Sequence, residues 1–83
     1  MYLLVYSATA FKHLKKLDKE TQIRIISTLE RIRVRPYPHV KKLIQSPYFR
    51  LRIGRYSVIL DIKENELIIL VLEVGHRKNI YSQ

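Results

Sequence analysis

The sequence contains no cysteine, which excludes a disulfide framework and any thiolate metal site. Glycine occurs only twice, at Gly54 and Gly75, too rarely for a glycine-rich loop that cradles a nucleotide phosphate. Long apolar runs are missing as well. The longest, Leu67–Leu72, falls far short of the roughly 20 residues that span a bilayer. The opening Met1-Tyr2-Leu3-Leu4-Val5-Tyr6 has no basic segment and is too short for a signal peptide, so a cytoplasmic protein with no membrane partner is expected. His13, His39 and His76 have no metal-ligand spacing to one another or to paired carboxylates, and no metal or other cofactor is expected. No serine sits in a nucleophile elbow. Acidic residues are scarce: seven Asp and Glu stand against sixteen Lys and Arg, a formal net charge of +9.

What is present is enough for one folded domain, residues 1–83. The apolar share of 47% is that of a globule, although a chain this short buries only about 60% of its unfolded surface. The excess of cations favours encounter with nucleic acid, an anionic membrane face or an acidic protein. Basic residues occur in every part of the chain, so no single detachable arm accounts for the charge.

Residues 2–6 read as a first strand. Ser7 or Thr9 can N-cap a helix over about residues 8–17, with Phe11, Leu14 and Leu17 inward and Lys12, Lys15 and Lys16 on the wet side. Asp18 can cap a second helix running to about Arg35, with Ile25, Ile26, Leu29, Ile32 and Val34 inward, stopped by Pro36 and Pro38. Residues 36–48 form a basic loop containing Lys41 and Lys42. Strands follow at about 49–53, 56–63 and 66–74. The last is almost continuously apolar, the pattern of a central strand covered on both faces. The order β-α-α-β-β-β gives an α+β fold, with two N-terminal helices packed on a small, twisted, mainly antiparallel sheet.

The segment Phe49–Lys63, FRLRIGRYSVILDIK, carries the clearest signal. A two-residue turn at Gly54-Arg55, of type II′, sets Ile53 opposite Tyr56, Arg52 opposite Ser57, and Arg50 opposite Ile59. Alternation then places Phe49, Leu51, Ile53, Tyr56, Val58, Leu60 and Ile62 on one face, and Arg50, Arg52, Ser57 and Asp61 on the other. Two guanidiniums on an open sheet face suit an anionic partner. Cleavage of RNA by its own 2′-OH requires activation of that hydroxyl, stabilisation of the charged phosphorane and a proton for the leaving 5′-oxygen. Arg50 and Arg52 can supply the second of these. His76 can act as acid or base, and Tyr81 can stack on a base. The alternative is structural: the two arginines solvate a sheet face, with Asp61 as a partner, and Tyr81 closes a sheet edge.

The runs FRLRIGRYSVIL and VLEVGHRKNIY resemble the RelE/ParE superfamily of toxins from type II toxin–antitoxin systems, and the resemblance extends over essentially the whole chain. RelE-type members are mRNA interferases that cut the message in the ribosomal A site. The resemblance implies the same activity, with Arg50 and Arg52 as phosphate-contacting or catalytic residues, Arg77 as transition-state stabiliser and Tyr81 as a stacking group. Lys12, Lys15, Lys16, Lys41, Lys42, Arg55 and Lys78 are the candidate RNA-binding residues around them. It also implies an acidic RelB-like antitoxin as partner, alongside ribosome and mRNA, and no small-molecule substrate. The chain departs from the family pattern in two places. Well-known RelE enzymes have lysines where Arg50 and Arg52 stand, and many relatives have Tyr-Arg where this chain has Tyr56-Ser57. The ParE branch, which poisons DNA gyrase, and a non-enzymatic basic binding module are the other readings.

Overall fold

The structure, a computed structural model, describes residues 1–76. Nine elements follow in order: β1 (Leu3–Tyr6), α1 (Ala8–Lys15), α2 (Lys19–Ile32), a 3-10 turn (Tyr37–His39), β2 (Lys41–Lys42), β3 (Phe49–Ile53), β4 (Tyr56–Lys63), a second 3-10 turn (Glu64–Glu66) and β5 (Ile68–His76). The strands form one sheet in the order β1-β5-β4-β3-β2. The β1–β5 pair is parallel, and the remaining pairs are antiparallel. The α+β architecture expected from the sequence is therefore the one observed, with β2 as an addition inside the predicted basic loop.

Both helices lie on one face of the sheet. Ala10 and Leu14 from α1, and Ile25, Leu29 and Ile32 from α2, form the core with Leu51, Ile53, Val58, Leu60, Ile62, Ile69, Val71 and Val74. Burying a side chain such as Leu29 or Leu60 contributes about 1.5–3 kcal/mol relative to leaving it exposed. Several expected core positions turn outward instead. Phe11 is 57% exposed, Ile26 40% and Val34 54%. In α1 the buried pair is Ala10 and Leu14, spaced i,i+4, and the small Ala10 lets the helix approach β5 closely. That rotation carries Phe11 toward α2. In α2 the stripe Ile25, Leu29, Ile32 is complete without Ile26, and the helix ends at Ile32, ahead of Val34.

Ser7 and Asp18 are the two N-caps, accepting hydrogen bonds from the backbone N–H groups of Ala10 and Thr21. Ser7 has a second task. The strand β1 pairs with β5 only as far as Tyr6 opposite Val71, which would leave the same edge of β5 without backbone partners further on. The Ser7 hydroxyl donates to Leu72 O at 2.9 Å, and Val74 N–H donates to His13 Nδ1 at 3.1 Å. These two side chains fasten α1 to the central strand.

β5 begins at Ile68, not at residue 66, because Glu64–Glu66 form a 3-10 turn and Leu67 adopts a left-handed backbone with φ of 55°. It carries a bulge. Ile59 faces Glu73 while Leu60 faces Val71, so Leu72 is the extra residue. The bulge changes the alternation from Ile69 and Val71 to Val74, three residues on, while keeping all three in the core. The expectation of two covered faces is not met. Ile68, Leu70 and Leu72 are half-buried, because both helices lie on the opposite face.

Candidate nucleic-acid interface

The hairpin of β3 and β4 has the register expected from its sequence. Arg50 pairs with Ile59, Leu51 with Val58, Arg52 with Ser57 and Ile53 with Tyr56. Gly54 has φ of +59° and no other turn residue has a positive φ, the pattern of a type II′ turn. A side chain at this position would be strained by the backbone and would meet the Arg24 guanidinium at 3.2 Å. The turn thus fixes which side chains face away from the helices, and Arg50 and Arg52 are among them.

Two cross-strand rows build that open face. One runs Lys41, Arg50, Ile59, Glu73 across β2, β3, β4 and β5, and the other runs Arg52, Ser57, Gly75. Arg50, Arg52 and Lys41 line a cavity of about 300 Å³ together with Pro38, His39 and Val40. Arg50 is half-buried, whereas Arg52 and Lys41 are exposed. Asp61 has Lys63 as an ion-pair partner at 3.2 Å. No carboxylate among the described residues is within ion-pair distance of Arg52. Ser57 is fully buried, and its hydroxyl has no hydrogen-bond partner among the described residues.

The Pro38–Val40 side of the lining is anchored through Tyr37. The Tyr37 hydroxyl donates to Glu64 Oε1 at 2.8 Å, and its ring meets Phe49 edge-on at 5.7 Å. The hydrogen bond to the Glu64 carboxylate pushes the Tyr37 hydroxyl up to about 12. His39 N–H donates to Pro36 O at 3.0 Å, which holds the turn that carries the imidazole.

Other predicted residues are distributed differently. Lys42 pairs with Phe49, not with Arg50, and its ammonium lies 6.0 Å over the Phe49 ring. Of the two adjacent lysines, only Lys41 joins the arginines. Lys12 and Lys15 on α1, and Lys16 at its C-cap, are exposed on the helical side of the sheet, and Lys15 sits 5.5 Å over the Phe11 ring. Arg55 lines a separate cavity of about 330 Å³ with Thr21, Arg24, Ile25, Ile53, Gly54 and Tyr56, also on the helical side. His76 pairs with Tyr56 and meets its ring edge-on at 5.8 Å, so it shares the helical face with Tyr56 and is not brought to Arg50 and Arg52. Arg77, Lys78 and Tyr81 lie outside the described residues. Sequence reasoning missed His39 at the cation cavity and Arg24 beside Arg55. Pro36 and Pro38 ahead of His39 were the available signal of a fixed turn. Nothing in the sequence pointed to Arg24.

The fold and sequence match those of known proteins. The sequence model of the ParE toxin of type II toxin–antitoxin systems matches residues 4–81. A RelBE toxin–antitoxin complex from Mycobacterium tuberculosis superposes with a TM-score of 0.86 at 23% identity, covering 92% of this chain and 98% of that one. The RelB–RelE antitoxin–toxin complex from Methanococcus jannaschii gives a TM-score of 0.73 at 27% identity, covering 93% and 94%. The intact E. coli RelBE complex gives 0.80 at 16% identity, covering 92% and 96%. No curated protein sequence matches. The chain belongs to the ParE toxin family of type II toxin–antitoxin systems, within the RelE/ParE superfamily.

Proposed function

We propose that this toxin is an mRNA endonuclease that acts on the message in the ribosome and so stops translation. The observation that carries this reading is the cavity where Lys41, Arg50 and Arg52 converge on the sheet face away from the helices. An RNA backbone can place its non-bridging phosphate oxygens there. Guanidiniums are suited to hold them in bidentate fashion, and the hold tightens as charge builds on the phosphorane. The reaction is attack of the 2′-OH on the adjacent phosphorus with departure of the 5′-oxygen. The resemblance implies roles for Arg77 as charge stabiliser and Tyr81 as base-stacking group.

The expected partner is an acidic antitoxin, in keeping with structural neighbours that are complexes with RelB antitoxins. Phe11, Ile23 and Ile26 are exposed apolar residues on the helices. A groove of about 260 Å³ between α1 and α2 is lined by Tyr6, Phe11, Leu14 and Ile26 among others. An amphipathic acidic segment laid there would cover this surface and offset the +9 charge.

A second reading, poisoning of DNA gyrase, is favoured by the match to the ParE family. Expression of the toxin alone separates the two. The RNA reading expects growth arrest with new mRNA 5′ ends placed in register with codons. Arrest without such ends, together with inhibition of purified gyrase, would overturn it.

A further inference from the structure

The three histidines have three different surroundings. His13 accepts from Val74 N–H and fastens α1 to β5. His76 packs edge-on against Tyr56 on the helical side. His39 alone among them lines the cavity with Lys41, Arg50 and Arg52. The proposed reaction needs a group that accepts the 2′-OH proton. A guanidinium holds its proton too tightly for that task, and a lysine has no acceptor while it is charged. Of the six described residues around the cavity, only His39 has a side-chain nitrogen that can accept a proton through a lone pair.

Its placement suits the task. The turn Tyr37–His39 follows Pro36, contains Pro38, and is tied to Glu64 and Phe49 through Tyr37. The backbone beneath the imidazole is therefore fixed, while the side chain remains exposed to an incoming strand. Among the described residues, the charged groups that line the cavity with His39 are Lys41 from β2 and Arg50 and Arg52 from β3. Glu73 stands on the same face in the Arg50 row, two strands from Arg50 and outside the cavity lining.

We propose that His39, which lines the same cavity as Arg50 and Arg52, is the general base of RNA cleavage. This rests on the RNA-cleavage reading above. Neutral His39 takes the 2′-OH proton as the O2′–P bond forms. The P–O5′ bond breaks, and the departing 5′-oxygen takes a proton from water. The hydroxide so formed takes the proton from the imidazolium, restoring neutral His39. The products are a 2′,3′-cyclic phosphate and a free 5′-OH, with protons and electrons balanced.

The test is single-turnover cleavage of mRNA on purified ribosomes across pH, with wild type, His39→Gln and His39→Ala. Circular dichroism and ribosome binding establish that each variant is folded and docks. Wild type should show an acid-side ionisation step in its rate, where the imidazole base takes up a proton. His39→Gln should lose that step and slow cleavage by about 10²–10⁴-fold. Added imidazole should restore part of the rate to His39→Ala, which a purely structural role would not allow. Cleavage by His39→Gln with the wild-type rate and pH profile overturns the role of His39 and leaves the RNA reading standing. No cleavage by wild type under any condition overturns both.

Discussion

Removal of Arg50 and Arg52 together tests which face of the molecule meets RNA. Each phosphate neutralised on a single strand contributes about 0.7 to the fall of log K with log salt. If Lys41, Arg50 and Arg52 engage three phosphates, this face contributes a slope of about 2.1, or about 18-fold in affinity between about 50 and 200 mM salt. The double variant Arg50→Ala/Arg52→Ala leaves Lys41 there. The slope should drop by about 1.4, leaving about 2.6-fold over the same range from this face. Both side chains project from the face opposite the helices, so the core is untouched. A triple variant of Lys12, Lys15 and Lys16, on the helical side, supplies the contrast and should leave the slope for a short single-stranded RNA unchanged. Fluorescence anisotropy with a labelled oligonucleotide at several salt concentrations gives both slopes. An unchanged slope in the double variant, with a reduced slope in the triple variant, would refute the assignment of the RNA-binding face.

The remaining predictions concern how the fold holds that face. Ser7→Ala removes an N-cap worth about 1 kcal/mol and leaves Leu72 O without its donor at a further cost of about 1 kcal/mol. For a domain of this size the sum should lower the melting temperature by about 8–16 °C, read by circular dichroism. A shift near zero would mean that Ser7 does not join α1 to β5. The Asp18 carboxyl is held below its ordinary value of 3.8 by the Thr21 hydroxyl, with help from Thr21 N–H. A depressed carboxyl stabilises the fold above its unfolded value, and the contribution fades as pH falls through the lower folded value. Urea midpoints should therefore fall more steeply for wild type than for Asp18→Asn as pH drops below about 4. Parallel curves would contradict the cap.

Much of the site was readable because its information is local. The alternation in Phe49–Lys63 and the need for a positive φ at Gly54 determine the register, and the register determines that Arg50 and Arg52 share a face. The caps Ser7 and Asp18 were legible for the same reason. Helix faces were less so. Phe11 and Ile26 fit the apolar spacing, but the fit of Ala10 against β5 and the completeness of the Ile25–Leu29–Ile32 stripe turned both outward. The split between Lys41 and Lys42 depends on pairing with β3, which a two-residue strand does not announce. His76 lies within the VLEVGHRKNIY run that carries the family resemblance, yet its pairing with Tyr56 places it on the helical face. His39 came into view only through the turn that Tyr37 anchors.

The most direct measurement is cleavage of a defined mRNA by the purified toxin on purified ribosomes, with product ends identified by mass. Wild type should cut the message in the A site and leave a 2′,3′-cyclic phosphate. Arg52→Ala should cut about 10²–10³-fold more slowly, the loss typical of removing one charge-stabilising donor. An intact message under these conditions, with the same preparation inhibiting gyrase, would contradict the account.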